Sequence, residues 1–193
     1  MEADWSVEVG NDLPVIAVPW ESFVDLRDRP ELIASITEVA GNEALSEALM
    51  VLNASALPVF TSKCDCWLLT ADEIDPLEFE AECDDAQRGI GCYIDILSRD
   101  LAVYRSFSAH EKWVRRATLS LRAMRQPQAK VEFVVRPALM LQNNAADEVQ
   151  RGFGITLYVY ACAAEETAAK EVFQIALRTA TTITMQKEPI AGE

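Results

Sequence analysis

Asp65, Asp95 and Arg136 fall on the same alternating face of three strand-like runs. Two carboxylates on one sheet face are the minimum for general acid–base work, and an arginine beside them could orient an anionic group. That combination would suit a hydrolase or isomerase. The same alternation puts Lys63, Trp67, Tyr93, Thr156, Tyr158 and Tyr160 on that face. Aromatic rings mixed with charges are what binding surfaces favour. The leading expectation is therefore a non-enzymatic module that binds a small molecule or a protein partner here, with a homodimer seam as one form. The enzyme built on Asp65 and Asp95 is the alternative. A structural reading competes with both: a solvated face, or one covered by N-terminal helices with pairs such as Lys63–Asp65 and Asp95–Arg136. The chain contains no GxGxxG, Walker, HExxH or GxSxG motif, so the sequence names no reaction.

Other reactive residues make weaker cases. Cys64, Cys66, Cys83 and Cys92 could offer zinc four thiolates, but their spacing fits no knuckle pattern. Cys64, Cys66 and Cys92 are in phase with core positions, where thiols act as small hydrophobes. Lys63 adjoins Cys64 but points to the opposite face, so the thiol lacks an activating neighbour. His110, the only histidine, stands in the first turn of an expected helix, whose positive end disfavours imidazolium. Its expected job is capping or solvation. The stretch Asp72–Asp85 holds eight acidic residues and no basic one, without the ligand pattern of a calcium loop. It reads as a solvated excursion with a helical turn near Leu77 and Phe79. No metal or cofactor is expected. Lys112, Arg115, Arg116, Arg122 and Arg125 give one helix a basic outer face.

The elements that position these residues come in two similar sets. Lys63-Cys64-Asp65-Cys66-Trp67 is answered by Lys130-Val131-Glu132-Phe133-Val134, and Arg88-Gly89-Ile90-Gly91 by Arg151-Gly152-Phe153-Gly154. The RGxG elements are expected to shape turns ahead of their strands. Strands are expected over Phe60–Leu69, Gly91–Leu97, Val131–Met140 and Phe153–Cys162, with helices from Ser108 to Met124 and Glu165 to Met185. Cys64, Cys66, Leu68, Cys92, Ile94, Ile96, Val131, Phe133, Val135, Ile155, Leu157 and Val159 form the opposite, core-facing set. It should pack under Trp113, Ala117, Leu121 and Met124 of one helix and Val172, Phe173, Ala176, Leu177 and Ala180 of the other. Ahead of these units come two short strands within residues 5–26, broken by a Gly10-Asn11-Asp12 turn. A helix from Asp28, capped with Glu31, ends at Gly41, and a second runs from Asn42 to Asn53. Asn143–Asp147 reads as a loop and Lys187–Glu193 as a frayed tail.

The expected class is α+β: a mainly antiparallel sheet from a doubled strand-strand-helix unit, helices on one face, with an N-terminal β segment and helix pair. All 193 residues form one domain, with parts 1–57, 58–126 and 127–193. Such a doubled unit resembles, in architecture, the saddle-shaped sheets of the TATA-binding-protein fold and of SOUL/gyrase-inhibitor-like domains. A net charge of −14 argues against nucleic acid, because phosphate binding needs clustered Lys and Arg. The opening Met1–Trp5 has neither the basic start nor the apolar core of a secretory leader. With its odd number of cysteines, the chain is expected in the cytoplasm with reduced thiols and no membrane association.

Overall fold

The computed structural model describes residues 1–10, 13–141 and 149–185. It is an α+β fold around one six-stranded, mostly antiparallel sheet. The strands are β1 (Glu2–Val7), β2 (Ile16–Val18), β3 (Val59–Thr70), β4 (Arg88–Ser98), β5 (Ala129–Leu141) and β6 (Val149–Ala163). The helices are α1 (Glu43–Leu52), α2 (Leu101–Tyr104), α3 (Phe107–Arg122) and α4 (Glu166–Met185). The sheet order is β1-β5-β6-β4-β3, and β2 also pairs with β5. Hairpins β3–β4 and β5–β6 each lead to a long helix, and the apolar strands β4 and β6 join them antiparallel at the centre. β1 and β2 add to the outer edge of β5 in parallel, one after the other.

The core-facing set largely holds. Cys92, Ile94, Ile96, Val131, Phe133, Val135, Ile155, Leu157 and Val159 are buried in one cluster with Leu45 and Leu49 of α1, Val114 and Leu121 of α3, and Phe173 and Leu177 of α4. At about 25 cal/mol per Å² of apolar area, this burial is the main stabilising contribution. The margins of the set depart from expectation. β3 is an edge strand, so Cys64 and Cys66 are only half-buried and Leu68 is 60% exposed. Met124 is exposed because α3 has already ended.

Parity flips inside β3. Thr61 pairs with Ile96 and Cys64 with Ile94, leaving Ser62 and Lys63 opposite Asp95 alone. Two residues against one is a β-bulge, which kinks the strand and changes which side chains face inward. Thr61 therefore turns toward α1, where Asn53 Nδ2 donates to its hydroxyl at 2.7 Å, while Phe60 joins the opposite face beside Leu97.

Several local expectations are corrected. Residues 28–41 form two 3-10 turns, Pro30–Ser35 and Thr37–Val39, instead of a helix. Ile36 between them is extended, in a run rich in β-branched residues, and Asp28 makes no cap because Arg29 is the N-cap. Leu32, Ile33, Ile36 and Val39 still pack against the core. α3 is capped by Ser106, whose Oγ accepts from the Ala109 N–H at 3.2 Å, instead of by Ser108. α1 begins at its expected cap, Asn42. It packs on α4, on the helix side of the sheet, and does not cover the polar face. The expected loop at Asn143–Asp147, the turn residues Asn11 and Asp12, and the tail Lys187–Glu193 lie outside the described residues.

The RGxG elements lie inside β4 and β6, not in turns before them. Their glycines sit on the polar face and clear space for groups packed across it. A Cβ on Gly91 would stand 2.7 Å from the Trp67 ring, and one on Gly152 would stand 2.5 Å from Tyr104. If the two RGxG elements are equivalent, cross-strand pairing matches Cys64, opposite Ile94, with Phe133, opposite Leu157. That is out of step with the match of Lys63 to Lys130, so the lysine segments do not superpose as the sequence suggests.

Candidate functional site

The polar face is bounded at both ends by packed chain. At one end Ile74, Phe79 and Ala86 cluster with Cys162, Leu69 and Tyr160. The acidic stretch is therefore not simply a solvated excursion: its apolar members anchor it to the sheet, and its carboxylates face out. Lys130 Nζ donates to Glu78 at 2.7 Å, and the Gln128 N–H donates to the Phe79 carbonyl at 2.8 Å. The expected helical turn is present as Pro76–Phe79, with Phe79 buried and Leu77 exposed. At the other end Ile16 and Val18 of β2 and Tyr104 of α2 pack on Leu97 and Ala138. The Tyr104 hydroxyl donates toward the Ala138 and Gln150 carbonyls at 2.9 and 3.1 Å.

Between these ends lies a ladder of four half-buried rings. Trp67 is 6.1 Å from Tyr160 and 6.4 Å from Tyr93, measured between ring centroids. Tyr158 is 6.0 Å from both Tyr93 and Tyr160, and lies within 2° of parallel to the latter. Cross-strand register produces this contact, since Tyr93 faces Tyr158 and Gly91 faces both Trp67 and Tyr160. Rings 4.5–7 Å apart in tilted or offset arrangements attract one another beyond their area burial. Burial pushes the Tyr93 phenol up to about 12, with Asp95 and Asp65 adding to the shift, and raises Tyr160 as well.

Beside the ladder runs a hydrogen-bonded chain of charged and polar groups. Thr156 Oγ1 donates to Asp95 Oδ1 at 2.6 Å and accepts from Arg136 Nη1 at 2.9 Å. Arg136 Nη1 also donates to the Tyr158 hydroxyl at 3.2 Å. Its Nε and Nη2 both reach Glu8 Oε2, at 2.8 and 2.7 Å. Asp95 is only 7% exposed. Burial raises its carboxyl above the ordinary value, opposed by the Thr156 hydrogen bond and the Arg136 charge. The suggested Asp95–Arg136 pair is thus bridged by Thr156, and the arginine's direct ion pair is with Glu8. Glu8 gave no signal in the sequence. Its position follows from the parallel β1–β5 ladder, which the Glu8 N–H extends by donating to the Val135 carbonyl at 3.0 Å.

All nine predicted residues share this face, but Lys63 and Asp65 stand outside the chain, exposed at the bulge. Asp65 Oδ1 accepts the edge N–H of Cys66 at 2.7 Å. Lys63 Nζ lies 4.8 Å from the centre of the Trp20 ring. Trp20, Lys63, Asp65, Tyr93 and Glu38 wall a pocket of about 380 Å³ where the bulge opens the edge. Trp20 was not anticipated either: it comes from the segment after β2, far along the chain from Lys63.

The other candidate groups are dispersed. Burial pushes the Cys64 thiol up to about 12, aided by the Glu38, Asp65 and Asp95 charges, and burial also raises Cys66, Cys92 and Cys162. Those four remain thiols at neutral pH, with no thiolate nucleophile among them. Among the described residues, no three of His, Cys, Asp and Glu converge as metal ligands, and no helix is long and apolar enough to cross a membrane. His110 is buried, contrary to the expected solvation, and desolvation lowers its pKa. No family model, curated protein or solved structure matches the chain.

Proposed function

We propose that this protein is a non-enzymatic binding module that takes a protein or peptide partner along the Trp67–Tyr160–Tyr158–Tyr93 ladder. A cationic group of the partner enters the adjoining Trp20–Tyr93 pocket. The observation that carries this reading is the half-exposed ring ladder leading into a pocket walled by Trp20, Tyr93, Glu38, Asp65 and Lys63, where two carboxylates face one ammonium. Indole and phenol faces attract cations, and the two carboxylates supply matching charge. The Lys63 ammonium over Trp20 is an internal example of what that ring holds. The chain's net charge of −14 favours a basic partner through long-range attraction. A cytoplasmic setting agrees with five unpaired cysteines.

The alternative is hydrolase- or isomerase-type acid–base chemistry at Asp65 and Asp95, favoured by the raised Asp95 carboxyl. Binding is the better-supported reading because Asp95 already accepts from Thr156, and Arg136 is occupied by Glu8, Thr156 and Tyr158. The test is NMR titration with three pools of fifteen-residue peptides: basic, neutral and acidic, each containing aromatic residues. The basic pool should move the signals of Trp20, Trp67, Tyr93, Tyr158 and Tyr160, and bind at least about tenfold more tightly than the acidic pool. Absence of shifts at millimolar peptide, or equal response to all pools, would overturn the proposal.

A further inference from the structure

A second pocket lies away from the aromatic ladder, at the end of the helix layer. It encloses about 520 Å³ between the N-terminal end of α3, the C-terminal end of α4 and the strand ends at Val59 and Ile96. Much of its wall is apolar, including Val59, Ile96, Val103, Trp113 and Met185. Three buried polar side chains also line it: Ser98, whose hydroxyl is hydrogen-bonded to the Asp100 backbone, His110 at 3% exposure and Thr184 at 5%.

His110 and Thr184 each carry a polar atom without a hydrogen-bond partner among the described residues. His110 Nδ1 lies 2.9 Å from the Ser106 carbonyl, and a carbonyl can only accept, so the proton is on Nδ1. Burial keeps the imidazole neutral by lowering its pKa. Nε2 is then a lone-pair acceptor with no partner among the described residues. On α4, Thr179, Thr181 and Thr182 each donate to the carbonyl four residues back, at 2.7, 2.7 and 2.8 Å. Thr184 breaks that run: its Oγ1 is buried and has no partner. Buried polar atoms are nearly always satisfied, and an unmet one costs roughly 1–3 kcal/mol. Thr118 Oγ1 is also unmet, but Thr118 is not on this wall. One such atom, Thr184 Oγ1, stands on the same pocket wall as His110, whose Nε2 is an unpaired acceptor, and one ligand would complete both.

We infer that this pocket binds a small neutral molecule with an apolar body and a hydroxyl or N–H group, which donates to His110 Nε2 and is held on its other side by the Thr184 hydroxyl. Pockets of a few hundred Å³ take ligands of roughly ten to twenty non-hydrogen atoms. Charge on the wall comes from Asp100, Lys112 and Arg116. The Asp100 carboxylate caps α2 through Ala102 and Val103, Lys112 is exposed, and Arg116 has a partner of its own. The selective contacts are therefore the neutral ones, a donor at His110 and either role at Thr184.

His110 is the only histidine in the chain, so its ring signals in long-range proton–nitrogen NMR need no assignment. The probes are neutral phenols and arylalkanols of about nine to fifteen non-hydrogen atoms, each paired with an isomeric ether that lacks the donor. 2-Phenylethanol and its isomer benzyl methyl ether form one such pair, of equal size but with a donor only in the first. Some alcohols should shift the Nε2 signal saturably, and their donor-free counterparts should bind about tenfold more weakly, as one lost hydrogen bond implies. His110→Phe should abolish the alcohol preference, and Thr184→Val should weaken alcohol binding severalfold without moving the free imidazole signals. Thermal melting checks that both variants fold. The inference is overturned if no alcohol shifts the imidazole below its solubility limit, or if ethers bind as well as alcohols. Peptide binding at the aromatic ladder, measured on the same variants, should be unchanged, so the two proposals fail separately.

Discussion

The two faces of the sheet are made by the same strands and follow opposite rules. On one, Phe133, Ile94, Ile155 and Leu157 interlock with three helices and leave almost nothing exposed. On the other, glycines replace side chains where chain must cross, the two ends are sealed by small separate clusters, and half-buried rings occupy the middle. The helix side gains stability from volume filled. The opposite side is held by register and hydrogen bonds around Thr156, with part of its aromatic surface left accessible. Binding chemistry belongs on the second kind of surface because its residues can be changed without emptying the core.

Substitutions of decreasing effect should sharpen that contrast. Phe133→Ala empties a fully packed core site and should cost about 3–5 kcal/mol in urea unfolding. A loss below about 1 kcal/mol would mean that face is loosely packed. Arg136→Met leaves Glu8, Thr156 and Tyr158 without their donor and should cost about 1–3 kcal/mol by the same measurement.

Asp95→Asn should change stability by less than about 1 kcal/mol at neutral pH, because Asn keeps an acceptor for Thr156. Its pH dependence carries the sign. Burial raises the folded carboxyl above its unfolded value of 3.8, so the folded state binds the proton more tightly. That contribution is complete below the unfolded value and is lost as pH rises through the folded one. Asp95→Asn should therefore gain on the parent protein between pH 3.5 and pH 7 in urea titrations. A gain by the parent over that range would instead mark Asp95 as a carboxylate stabilised by Arg136. Smallest of all, Asp65→Asn at the exposed bulge should stay within about 0.5 kcal/mol by thermal melting.

How much of this was legible depends on how local the cause was. Alternation put Tyr93, Asp95, Thr156, Tyr158 and Arg136 on one face because the period of a strand is a property of the strand itself. Helical spacing gave α3 and α4, and Asn42 marked the start of α1, because caps act within one turn. Glu8 and Trp20 were invisible: each is placed by a long-range event, the first by parallel addition of β1 to β5, the second by the chain folding over the β3 bulge. The bulge itself left no mark in the alternation near Lys63. The RGxG glycines were noticed for the wrong reason, since glycine beside a strand looks the same whether it turns the chain or makes room for a ring such as Trp67.

The contrast between the faces is tested most directly by adding a neutral paramagnetic reagent and measuring relaxation of side-chain ring protons. With the core face and the packed ends of the polar face sealed and the ladder accessible, the rings of Tyr93, Tyr158 and Tyr160 should relax strongly, while Phe133 in the core and Tyr104 at the packed end stay close to their values without reagent. If Tyr93, Tyr158 and Tyr160 were as protected as Tyr104, the aromatic face would be covered, and no partner could bind there.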